Sequence, residues 1–166
     1  MNEHIELLIA VKPKMLNNIL KIALWVIAAL SLLASFVGIL GIISLIIAIA
    51  AGVAAYIIGM RADLEYEYTL TDKEIDIDAI FSKQKRKSIT NLDLTKLEIM
   101  APLDSYRLDG YKNRNVKTED YSSGEEANKK NMYVMYYDGS RKIIIEPDEQ
   151  LYKAIYSVAP HKVYNS

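Results

Sequence analysis

Residues 22–60 contain no Asp, Glu, Lys, Arg or His; 39 uncharged and mostly aliphatic residues follow one another between Lys21 and Arg61. As one α-helix, rising about 1.5 Å per residue, that stretch would be a rod of roughly 58 Å. The hydrocarbon core of a bilayer is about 30 Å thick and is crossed by ~20 residues. Tilt does not absorb a twofold excess. Two helices fit. The natural break is Gly38-Ile39-Leu40-Gly41, which predicts a transmembrane helical hairpin with spans 19–37 and 42–60 behind an N-terminal segment, residues 1–18. Lipid offers no partners to backbone groups in the reversal, and Ser35 and Ser44 are at hand to satisfy some of them.

The flanks set the expected orientation. Lys12, Lys14 and Lys21 lie ahead of the uncharged stretch and Arg61 follows it, while the break carries no positive charge. The positive-inside rule then places both termini in the cytoplasm, with Trp25 and Tyr56 in one interfacial belt of the cell membrane. A cleaved signal is disfavoured, because its apolar core is short and ends at a cleavage site, whereas here the apolar run continues into a second span. Ala48 and Gly52, Ala51 and Ala55, and Gly59 recur at helical spacing. Such small residues allow close approach, either within the hairpin against Ala28, Ser31 and Ser35 or in a homo-oligomer. With no charged residue in this stretch, a transport path has nothing to work with.

The whole chain is 166 residues with a net charge of −1 and no cysteine. That balance gives no electrostatic footprint for nucleic acid. The lack of thiols removes disulfides and zinc–thiolate sites.

After Arg61 the pattern changes to period two. Leu64, Tyr66, Tyr68 and Leu70 alternate with Glu65, Glu67 and Thr69, which predicts a half-buried strand. Thr71-Asp72-Lys73 reads as a turn, and Ile75, Ile77, Ala79 and Phe81 alternate with Glu74, Asp76 and Asp78 in a second strand. A polar third strand is expected at 86–91 and a fourth at 94–100, with Leu97 and Ile99 in the core and Pro102 ending it. From 102 to 130 only residues 116–121 suit a strand, so a mobile or functional loop is expected there. Residues 132–137 and 142–145 flank Asp138-Gly139 as a hairpin. Pro147 suits a first helical position, and Leu151, Ala154, Ile155 and Val158 predict a helix over 147–159, stopped by Pro160. Residues 4–11, with Ile5, Leu8 and Ile9 on one side, read as a short helix lying at the interface.

Six or seven strands followed by one amphipathic helix describe a small antiparallel barrel or sandwich over residues 61–166. This order of elements resembles the pleckstrin-homology-like fold of bacterial membrane proteins. The stretches that carry the likeness are Tyr66-Glu67-Tyr68-Thr69-Leu70-Thr71-Asp72-Lys73-Glu74-Ile75-Asp76-Ile77, Leu94-Thr95-Lys96-Leu97-Glu98-Ile99 and Ile143-Ile144-Ile145-Glu146-Pro147-Asp148-Glu149-Gln150-Leu151. With its paired helices, the chain is similar to a family of small uncharacterised membrane proteins of Gram-positive bacteria. The resemblance implies an α+β membrane protein, a transmembrane hairpin followed by a β domain capped by its C-terminal helix. Phosphoinositide-binding members of the wider fold hold headgroups with basic residues in the loop joining the first two strands. The loop read in that place is Thr71-Asp72-Lys73, short and electrically mixed, so inositol-lipid recognition does not carry over.

Lys83, Lys85, Arg86 and Lys87 are the densest charge in the chain. Beside an anionic leaflet each cation is worth about 1 kcal/mol; the bland alternative is a solvated turn. Glu74, Asp76 and Asp78 share one face of a strand, but an extended strand does not wrap a cation as calcium requires. A solvated face is the better reading. His4 and His161 have no neighbouring serine or carboxylate motif, and no glycine loop or paired-histidine metal signature is present. Tyr133, Tyr136 and Tyr137 suit half-buried strands, with partner contact as the minority reading. The expectation is a non-catalytic, membrane-tethered binding or scaffolding module without a cofactor, metal or small-molecule substrate. Its partners are the lipid bilayer and a protein or a second copy. The rival is an accessory subunit that acts through its hairpin.

Overall fold

Two long helices occupy the uncharged stretch, α1 at Met15–Ala34 and α2 at Gly41–Ala62. The structure, a computed structural model, describes residues 4–13, 15–36 and 41–165. It divides into a helical unit, residues 13–64 with 81–84, and a β unit of the remaining residues. The two are taken in turn.

α1 starts four residues before the expected 19, just after Pro13, because a proline is a good residue to precede a helix and Met15, Leu16 and Ile19 extend the apolar run. α2 runs two residues past the expected 60. Of the expected break, Gly38, Ile39 and Leu40 lie outside the described residues, as does the end of the first span at Val37. Gly41 is described, and a Cβ there would stand 2.3 Å from the carbonyl oxygen of Ser35. Only glycine admits that approach. The Ser35 hydroxyl donates to the Leu32 carbonyl at 2.6 Å, as a serine beside a helix end tends to do. Ala28 of α1 and Ala48, Ala51 and Ala55 of α2 are buried, whereas Leu33, Ile42 and Val53 are exposed. The small residues thus serve contact within the pair, as expected of Ala28, Ala48, Ala51 and Ala55. Gly52 departs from this, since nothing lies within 4 Å of its would-be Cβ. By length and composition, 15–34 and 41–60 are apolar enough to cross a membrane.

Among the described residues the β unit holds eight strands. Residues 4–11 are not a helix: β1 is a strand, His4–Ala10. Its register runs antiparallel to β2, Leu64–Thr71, from His4↔Thr71 to Ala10↔Glu65. Ile5 is buried, and Leu7 and Ile9 pack against the core, so period two, not 3.6, governs this segment. A sheet partner 55 to 67 residues downstream overrides the local reading. β3 (Glu74–Phe81) and β4 (Lys85–Asp93) complete the first sheet, ordered β1-β2-β3-β4. A 3-10 turn at Leu94–Lys96, capped by Asp93, carries the chain into the second sheet. There β5 (Leu97–Pro102), β7 (Tyr133–Tyr137), β8 (Arg141–Ile145) and β6 (Lys117–Asp120) lie in the order β5-β7-β8-β6, with β6 parallel to β8.

One core joins the inner faces: Tyr68, Leu70, Ile75, Ile77, Leu92, Met100, Met135 and Ile143 from the sheets, with Leu151 and Ile155 from α3. α3 spans Glu149–Val158, not 147–159, because Asp148 is its N-cap, accepting from the Leu151 N–H at 2.7 Å; Pro147 precedes the cap. The 102–130 segment is organised. Its 3-10 helix Tyr106–Tyr111 drops Leu108 into a second cluster with Ile99, Ala101, Val134 and Tyr136 on the outer face of β5 and β7. Tyr136 is therefore core, as is Tyr137.

Candidate interaction surface

The pairing of β1 with β2 changes the place of two loops. The turn at Asp72-Lys73 joins the second and third strands, not the first two, and what joins the first two is the helical unit itself. The chain leaves the sheet at Ala10 and returns at Leu64, and Ala10 stands opposite Glu65. β3 runs back toward that same sheet end, where the Ser82 N–H donates to the Asp63 carbonyl at 2.7 Å. The basic β3–β4 turn thus lies at the sheet end where the chain passes to and from the helices.

In that turn Ser82 and Lys83 have φ of 49° and 56°, left-handed values that cost a side-chain-bearing residue of order 1 kcal/mol. They let β3 reverse into β4 without a glycine. The four expected cations then part company. Lys83, Lys85 and Lys87 are exposed. Arg86 is tied back: its Nε donates to Asp78 Oδ2 at 2.5 Å, and its guanidinium pairs with the Glu67 carboxylate. Glu67 is only 8% exposed, and its Oε2 meets Arg86 as an ion pair rather than as an in-line hydrogen bond. The Asp78 hydrogen bond, with the charges of Glu67 and Glu6 nearby, raises the Arg86 pKa above its ordinary value. Arg86 is a strut across β2, β3 and β4. In sequence it is indistinguishable from the lysines around it, because partners on other strands are invisible in a linear run.

The acidic strand face is likewise occupied. Asn91 Nδ2 donates to Glu74 at 3.0 Å and Asp76 at 2.8 Å, and Asp78 holds Arg86. Among the described residues no group of three or more His, Asp or Glu could hold a metal ion. His4 does have a carboxylate beside it, Glu6 at 2.9 Å, and approaches the Thr71 hydroxyl at 3.3 Å; strand alternation brings residues two apart together. His161 is exposed.

Inside, the buried Tyr68 hydroxyl donates to the Tyr121 carbonyl at 2.5 Å and accepts from the Glu146 N–H at 3.4 Å. Glu146 in turn accepts from the Ser123 N–H at 3.0 Å. Burial raises the Tyr68 phenol pKa well above the usual tyrosine value and pushes Tyr121 up to about 12. This network binds 121–123 to the first sheet, a structural task. Two open grooves flank α3, one of about 400 Å³ beside His4 and Lys153, the other of about 430 Å³ between Tyr152, Tyr156 and Tyr164. Neither gathers the convergent polar groups of a small-molecule site.

The sheet edges differ in how they end. β5 is covered by the chain's own tail, for the Met100 N–H donates to the Lys162 carbonyl at 2.7 Å and the Tyr164 N–H to the Met100 carbonyl at 2.8 Å. Just past β1, Lys12 N–H donates to the Ser123 carbonyl at 2.8 Å. β6 has four residues. β4 has nine, exposed from Lys85 to Ile89, and no described backbone group bonds to its outer side.

The architecture of two four-stranded sheets and a capping helix agrees with a family match: over residues 1–165 the sequence fits the bacterial PH-like domain family DUF6106. The chain belongs to that family. No curated protein and no solved structure matches the chain.

Proposed function

We infer that this PH-like chain is a non-catalytic binding module tethered in the cell membrane by its helical hairpin, with both termini in the cytoplasm. One observation carries the reading: the two apolar helices are inserted between adjacent, paired strands β1 and β2. A tail anchor would hold the β unit by one flexible connection. Here the anchor is held at both ends, through residues 11–14 and through Asp63 alone. Two chain connections in place of one suit a domain that stays beside the bilayer in which it is anchored. The exposed leucines, isoleucines and valines of both helices suit lipid as their solvent. Lys12, just before α1, and Lys21, in the second turn of α1, give the positive flank that orients the pair. The surface presented is the β3–β4 hairpin with Lys83, Lys85 and Lys87. Catalysis is left out because the polar groups are spent on struts, caps and the Tyr68 network.

The test is expression in bacteria followed by alkaline carbonate washing of the membranes. The reading expects the full chain to stay with the lipid, and a chain with charged residues at Leu33 and Ile46 to be released. Recovery of the unaltered chain in the wash would refute the tether.

A further inference from the structure

We propose that the outer edge of β4 is a docking site for an extended acidic segment of a protein partner, taken up as a fifth strand of the first sheet. This rests on the reading of the chain as a binding module and names the partner's chemistry. An unpaired strand edge is a template for another chain, and folded proteins cover, shorten or charge such edges. This molecule covers β5 with its tail and shortens β6, yet leaves β4, the longest strand, open over its exposed length. Strand addition supplies main-chain hydrogen bonds, and side chains on alternate positions supply the choice of partner. On β4 the alternate positions Lys85 and Lys87 are exposed and make no ion pair with any described residue. Lys83 adds a third cation in the adjoining turn. Arg86, between them, is committed to Asp78 and Glu67 on β3 and β2.

Charge decides the occupant. A second copy meeting β4 edge to edge would set lysines against lysines, and like charges directly opposite are destabilising. A segment with carboxylates at alternate positions places them against Lys85 and Lys87 while its backbone zips to the edge. Nine residues of strand reach roughly 30 Å, enough for a segment of similar length.

The experiment uses the full chain in nanodiscs of neutral phosphatidylcholine and a fluorescent ten-residue peptide of alternating Glu and Val. Saturable binding is expected by anisotropy. It weakens about tenfold in the Lys85→Gln/Lys87→Gln double variant, the size of two exposed ion pairs. Amide exchange at 85–91 slows on binding. A peptide N-methylated at alternate backbone nitrogens does not bind, and neither does a Lys–Val peptide. Equal binding of the N-methylated peptide, or none by the Glu–Val peptide, overturns the proposal. So does protection of Lys85 and Lys87 from acetylation by phosphatidylserine nanodiscs with the peptide failing to compete, which would assign the basic run to lipid. Near-ultraviolet dichroism confirms that the variant is folded. Carbonate resistance of the same chain is read separately, so loss of the tether and loss of peptide binding are told apart.

Discussion

In the helical unit the buried hydrophobic side chains are alanines, and many leucines, isoleucines and valines are exposed; in the β unit Tyr68, Ile77, Met100 and Ile143 are buried and most lysines are exposed. One chain thus follows two opposite burial rules within 166 residues. Water drives large apolar groups together, whereas in lipid that force is absent and close packing of small residues takes its place. On the proposed reading the two units are built for different solvents, and a mutation of one kind should have different consequences in each.

The largest expected effect concerns where the β unit begins. If β1 belongs to it, deleting residues 1–12 removes Ile5, Leu7 and Ile9 from the core, on the order of 5 kcal/mol, comparable to the whole stability of a small domain. The detached fragment 62–166 should then show no cooperative melting, while a fragment with residues 4–10 fused ahead of β2 should melt as a unit. Cooperative melting of 62–166 alone would return β1 to the status of an appendage.

Next in size is the contrast in packing. Ala55 is wholly buried in the helical pair, and Ala55→Leu should disrupt it by about 2 kcal/mol, seen as changed crosslinking between cysteines placed in α1 and α2. The β unit should keep its melting temperature. Thermal loss of the β unit in that variant would break the distinction between the units.

A smaller effect separates the basic residues. Arg86→Gln strands the Glu67 carboxylate and should cost about 1 kcal/mol, whereas Lys85→Gln should change stability by less than about 0.5 kcal/mol. Urea titration of both variants reads the difference directly, and equal effects would deny Arg86 its bracing role.

The smallest is a pH effect. Hydrogen bonds from Arg114 and from the Gly139 N–H hold the Glu98 carboxyl below its ordinary value. For Glu119 burial pushes the other way, but Lys117 and Arg141 more than offset it. A carboxylate whose folded pKa is lowered contributes stability above its unfolded pKa and loses it as pH falls through the folded one. Melting temperature should therefore decline on acidification below about pH 4.5, and Arg114→Gln with Arg141→Gln should flatten that decline.

How much of this could be read beforehand follows from the range of each signal. The helices announced themselves because apolar length is local, and the β7–β8 hairpin because its turn, with Asp138 and Gly139 at φ of 51° and 66°, joins neighbours in sequence. β1 stayed hidden because its partner lies beyond both helices and because Ile5, Leu8 and Ile9 fit a helical face as well as a strand. The 102–130 segment looks loose in sequence because its anchors, Leu103, Leu108, Tyr111, Val116 and Tyr121, are scattered among polar residues without a period. Of the surface, the lysines were legible as charge. The division between them and Arg86 was not, since Glu67 and Asp78 reach it only through the sheet, and the open β4 edge exists only once the strand order is known.

The two-ended tether is tested most directly by cysteine accessibility, which the absence of native cysteine makes clean. Single cysteines at Ala10, Phe36 and Asn165 would be treated with a membrane-impermeant maleimide in sealed inside-out vesicles. Ala10→Cys and Asn165→Cys should label at once and Phe36→Cys only after the vesicles are opened. Labelling of Ala10→Cys and Asn165→Cys from opposite faces of the vesicle would contradict the account.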